Sequence, residues 1–120
     1  MPPDPRMLLW QAREAADDVM AFVADVDLET YSASRLIHSA VERKLQIVGE
    51  ALSQLRKLDA EIARRVPLVE HIIGFRNVLV PAYAIVEHER VWSIARHSVP
   101  PLRTAIGDLL RDLDLRQASK

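Results

Sequence analysis

The chain has 120 residues, with 16 basic and 17 acidic side chains and a formal net charge of −1. Its length fits one domain spanning residues 1–120, and 49% hydrophobic with 28% charged residues is a globular balance. The absence of cysteine excludes a disulfide scaffold, a zinc ribbon, an iron–sulfur site and a thiol nucleophile. Three scattered glycines, Gly49, Gly74 and Gly107, exclude a glycine-rich phosphate loop, and near-neutral charge argues against coating nucleic acid by bulk electrostatics.

Abundant Ala, Leu, Arg and Glu, with no hairpin dipeptides, predict an all-α protein. Asp4-Pro5 reads as a cap followed by the first helical residue. Leu8, Ala12, Ala15, Val19, Phe22 or Val23, and Val26 then form an apolar stripe, and the helix is expected to end near Asp25–Asp27, where acids oppose the helix dipole. A second helix runs from Ser32 or Ser34 to about Lys57. Its stripe of Ile37, Val41, Leu45, Val48, Leu52 and Leu55 is flanked by Leu36, Ala40, Ile47, Ala51 and Leu58, an arc wide enough for a bundle centre or a dimer. A short helix over Asp59–Arg65 stops at Pro67. The next begins near Pro67 or Leu68, with a kink or stop expected near Val80 because Pro81 lacks an N–H and crowds the preceding turn. Further helices are expected over His88–His97 and Pro101–Leu113, broken or capped by Ser98-Val99-Pro100-Pro101. Short connections favour an up-and-down antiparallel bundle of four to six helices.

The Met1-Pro2-Pro3-Asp4-Pro5 start has no basic flank or apolar signal-length stretch, and no apolar run is long enough to span a membrane. A cytoplasmic location is the corresponding expectation. Charge is unevenly spread: residues 60–103 carry six Arg against four Glu, together with His71, His88 and His97. This segment reads either as a modest phosphate-attracting surface or as a solvated face with local ion pairs. No cluster has metal-site spacing, no cofactor is implied, and His38 reads as structural.

Arg76, Asn77 and Tyr83 are polar groups set in the apolar stretch Gly74–Tyr83. On a continuous helix Arg76 and Tyr83 would share a face, where a guanidinium fork and a phenol could hold a phosphate. Equally, Arg76 could pair with a carboxylate of another helix and Tyr83 could be a core aromatic. Glu50 is a candidate partner for Arg76 or a surface carboxylate. Arg64-Arg65 reads as a solvated pair, and Trp10 and Trp92 as packing or dimer residues.

These residues resemble the signature of HepT-like proteins, within the HEPN superfamily: Arg, four residues, His, one residue, Tyr. Here the stretch reads RNVLVPAY, with Arg76, Pro81 in the His place, and Tyr83. The resemblance extends to Ala40–Leu52 with its Gly49-Glu50-Ala51, to Ile73–Val80 and Ala84-Ile85-Val86 followed by Val91-Trp92, and to Val99-Pro100-Pro101-Leu102. It implies a helical homodimer acting as the toxin of a toxin–antitoxin pair, and a metal-independent ribonuclease whose cleft forms from two subunits. It also implies a partner, the minimal nucleotidyltransferase MntA, that would add AMP to Tyr83. By the same resemblance Arg76 and Asn77 would contact RNA phosphate, and Arg76, position 81 and Tyr83 would be catalytic. Pro81 has no titratable group, so the activity implied for the family is expected to be impaired here. The alternative is a non-catalytic helical dimer that serves as binding partner or AMP acceptor of a nucleotidyltransferase.

Overall fold

A computed structural model describes residues 3–67, 69–79 and 87–118, the side chains of residues 75–79 excepted. The described residues form seven α-helices and one π-helical turn joined by short connections, and no strand occurs among them: α1 (Pro5–Val23), α2 (Leu28–Ala33), α3 (Arg35–Leu58), α4 (Ala60–Arg64), α5 (Val69–Leu79), α6 (His88–Ser93), the π-turn (Ile94–Ser98) and α7 (Val99–Ala118). The fold is all-α, as the composition predicts.

Short polar side chains set the helix starts. Asp4 Oδ1 accepts from the Met7 N–H at 2.9 Å, with Pro5 in the first turn of α1. Ser34 closes α2 through its own N–H, which donates to the Thr30 carbonyl at 3.0 Å, and opens α3 by accepting from the Ile37 N–H at 3.1 Å. Asp59 ends α3 and caps α4, accepting from the Ile62 N–H at 3.1 Å.

The short helix α2 was not among the expected elements. Asp27, expected near the end of the first helix, instead caps α2, its carboxylate accepting from the Thr30 N–H at 2.8 Å. That bond holds the Asp27 carboxyl below its ordinary range, because the Thr30 backbone and hydroxyl both favour the charged form.

The expected break at Ser98–Pro101 is also corrected. Helical geometry runs unbroken from His88 to Ala118, passing through the π-turn immediately before Pro100 and Pro101. Those prolines offer no N–H to the carbonyls one turn back, and their rings need room there. Widening the turn by one residue meets both demands, and the Val99 N–H donates to the Ile94 carbonyl five residues earlier. The Thr104 hydroxyl donates to the Pro100 carbonyl at 3.1 Å. With His88–Ala118 as one rod, the described residues form six helical rods.

α1 packs chiefly on α3 and α7, and α3 also packs on α5. Ion pairs give the sense of the α1–α7 packing: Arg6 meets Asp114 at 2.8 Å, and Arg103 meets Asp17 at 2.7 Å, so the two helices run antiparallel. The core takes Leu8, Ala12, Val19 and Val23 from α1, Val41, Leu45, Val48, Leu52 and Leu55 from α3, and Leu102, Ile106 and Leu109 from α7. Of the two alternatives in α1, Val23 is buried and Phe22 is 37% exposed. On the flank of α3, Ala51 is buried, whereas Leu36 is 81% exposed. No helix among the described residues is long and apolar enough to cross a membrane.

Candidate functional site

The backbone of α5 is helical through Leu79, so it carries Arg76 and Asn77 in its last turns. Their side chains, and the whole of Pro81 and Tyr83, lie outside the described residues, as do the kink or stop expected at Val80 and the pairing of Arg76 with Glu50. Arg56 of α3 pairs with Glu70 near the start of α5. Glu50 is exposed, between buried Gly49 and buried Ala51. On a helix, His71 stands about 140° around the axis from Arg76, and it is exposed.

The basic excess of residues 60–103 is largely occupied within the chain. Arg64 pairs with Glu61, and Arg65 with Asp112 at 2.8 Å. Arg96 donates to the Val23 carbonyl at 3.1 Å and lies over the Trp92 ring at 5.4 Å. Arg103 binds Asp17, and that hydrogen bond pushes the guanidinium's already high pKa further up. Trp92 is half-buried, its indole N–H donating to the Val26 carbonyl at 2.9 Å, whereas Trp10 is 51% exposed. For four of the six Arg, the solvated-pair and local-contact reading therefore prevails over a free phosphate surface. A groove between α5 and the α6–π-turn rod is lined by His71, Glu87, Glu89 and Arg90 among others, so two carboxylates accompany the Arg90 guanidinium there.

The fold also assembles a polar cluster that the sequence did not reveal. His38 and Glu42, one turn apart on α3, approach to 3.3 Å between Nδ1 and Oε2. His88, at the start of α6, stacks on His38 with centroids 4.2 Å apart and planes at 28°. Tyr31 of α2 closes the group, its ring 6.2 Å from that of His38 and 6.1 Å from that of His88. Tyr31 is fully buried, and Tyr31 Oη, His38 Nδ1 and His88 Nδ1 have no hydrogen-bond partner among the described residues. The His38–Glu42 approach satisfies an ion-pair distance without hydrogen-bond alignment. Burial raises the Tyr31 phenol well above its ordinary value, and the Glu42 charge adds to the rise. The His38/Glu42 spacing on one helix face was the only local signal. His88 lies fifty positions further on and reaches the cluster only through the packing of α6 on α2.

Comparison with known proteins decides the family. The model of the "Ribonuclease HepT-like" family matches residues 12–109. The chain belongs to the HepT-like family. A candidate RNase of Methanocaldococcus jannaschii is 30% identical over 103 residues, covering 86% of this chain and 94% of the relative. A second candidate RNase of that organism is 28% identical over 111 residues, covering 92% and 95%. A candidate RNase of Caldanaerobacter subterraneus subsp. tengcongensis is 26% identical over 107 residues, covering 89% and 95%. No solved structure matches at comparable significance. Within this HepT-like chain, α5 carries Arg76 and Asn77 on its backbone.

Proposed function

We propose that this HepT-like protein is the toxin half of a toxin–antitoxin pair, a homodimer that engages single-stranded RNA in a cleft shared by two subunits. The reading rests on the RNVLVPAY stretch, within a family match that spans residues 12–109. In cleavage without metal, the RNA's own 2′-hydroxyl attacks the adjacent phosphorus and the 5′-oxygen departs. Arg76 and Asn77 hold the phosphate, Arg76 stabilises the charge that gathers on its oxygens, and Tyr83 orients it. A proton must leave the 2′-hydroxyl and another must reach the 5′-oxygen. Histidine at position 81 would do this near neutral pH, and Pro81 cannot.

The partner in this reading is an MntA-type nucleotidyltransferase that transfers AMP from ATP to the Tyr83 hydroxyl, the new Tyr O–P bond replacing the α–β anhydride bond as pyrophosphate and the phenolic proton leave. The added phosphate brings negative charge and bulk into the RNA path. Pro81 itself favours a second reading, a non-catalytic dimer that keeps Arg76 and Tyr83 and serves only as AMP acceptor or binding partner.

The first of two measurements separates these readings, and the second tests the acceptor they share. Cleavage of single-stranded RNA in chelator should rise about 10²- to 10⁴-fold in Pro81→His relative to the unaltered chain. If both remain inactive as folded dimers, the nuclease reading fails. Mass spectrometry after incubation with the nucleotidyltransferase and ATP should find AMP on Tyr83 and none on Tyr83→Phe. AMP gained by Tyr83→Phe would remove Tyr83 as acceptor.

A further inference from the structure

We propose that His38, Glu42 and His88, with Tyr31 behind them, form a binding site for a divalent transition cation of the zinc class. It is distinct from the residues that carry the proposed RNA chemistry.

Three observations converge on it. The first is donor chemistry: two imidazoles and one carboxylate are the ligand types that bind zinc and its neighbours, with a remaining position open to water. The second is placement. The ligand-type atoms of His38, Glu42 and His88 all lie within 4.8 Å of one another. His38 and Glu42 are fixed to one another by α3, while His88 comes from a different rod, so an ion there would tie α6 to α3. The third is unmet bonding capacity. Buried polar atoms are almost always partnered, and exceptions call for an explanation such as an ion. Tyr31 Oη, on a fully buried side chain, and both histidine Nδ1 atoms have no hydrogen-bond partner among the described residues. The three rings that carry them lie against one another.

The cluster is more open than a loaded site. Ligand atoms about 2.0–2.1 Å from a tetrahedral ion stand roughly 3.3 Å from each other, so the group must contract. A metal-bound imidazole points its nitrogen lone pair at the ion in the ring plane. His38 and His88 therefore have to turn out of their 28° stack as the ion enters. The Tyr31 hydroxyl, buried and without a partner among the described residues, is then a donor for Glu42 or for a water on the ion. Its role is positioning rather than ligation.

The full-length protein, freed of metal with chelator and then exchanged into chelator-free buffer, should bind one equivalent of Zn²⁺ by calorimetry. With Co²⁺ as probe it should develop the visible absorption of a low-symmetry site. Its melting temperature should rise with Zn²⁺ concentration, as expected for a ligand of the folded state alone. His88→Gln and Glu42→Gln should each abolish the stoichiometric binding and the melting shift. Tyr31→Phe should weaken binding about 10- to 100-fold. His97→Gln, which alters an exposed histidine, should change none of these readouts. Circular dichroism confirms that each variant is folded. Absence of one-equivalent binding in the unaltered protein, or binding that survives both ligand substitutions, overturns the proposal. These readouts do not depend on nuclease activity, so they stand or fall separately from the proposed function.

Discussion

The Tyr31 phenol is sealed in the core beside the Glu42 carboxylate, and its titration reports on that environment. Its pKa is raised above the ordinary 10.0, mainly by burial. The folded protein therefore holds the phenolic proton after the unfolded chain has released it. Its contribution to stability is complete below about pH 10 and is lost progressively as the pH rises beyond that value. In metal-free protein, Tyr31→Phe should flatten the alkaline fall of melting temperature that the unaltered chain shows above pH 10.0. Near neutral pH its stability should stay within about 1 kcal/mol, because the substitution also removes an unpartnered hydroxyl. Denaturant titrations at several pH values check both expectations. Capping residues were legible because their chemistry is local: Asp4, Ser34 and Asp59 each serve an N–H three residues ahead. The Tyr31–His38–His88 contact was not, because nothing in the pattern around His88 indicates that α6 will lay it against α3.

At the scale of elements, one serine separates two helices. Ser34→Ala removes the α3 cap and should cost about 1 kcal/mol, lowering the melting temperature by roughly 4 °C. Gly74 makes the opposite prediction. A Cβ there meets nothing within 4 Å among the described residues, and glycine is a poor helix former inside α5. Gly74→Ala should therefore stabilise the protein by about 1 kcal/mol in thermal unfolding. A loss instead would show that another surface closes on this face of α5. The apolar periodicity of α1 and α3 made their core faces readable in advance. The passage of a helix through Pro100-Pro101 was not readable, because proline chemistry predicts a break and only the preceding π-turn accommodates both rings.

At the scale of the molecule, α1 packs on both α3 and α7, α5 packs on α3, and central leucines carry the stability of the core. Leu52→Ala, at a fully buried position, should cost about 2–5 kcal/mol in equilibrium unfolding. Leu36, 81% exposed, should tolerate alanine within about 0.5 kcal/mol in the monomer. The all-α class was legible from composition and periodicity, and the family from its resemblance in ordered motif blocks. The chemistry assigned to Arg76 and Tyr83 comes from the resemblance, since their side chains lie outside the described residues.

The central claim is that the RNVLVPAY stretch is ribonuclease machinery in which Pro81 has removed the proton relay. The most direct test is the pH dependence of single-stranded RNA cleavage by Pro81→His in chelator, from about pH 5 to about pH 9. The account predicts a rate limb with its midpoint near the ordinary histidine value of about 6.5, and a fall of about 10²- to 10³-fold when Arg76→Ala is added. A folded Pro81→His dimer whose cleavage is no faster than that of the unaltered chain, flat with pH, or indifferent to Arg76→Ala would contradict it.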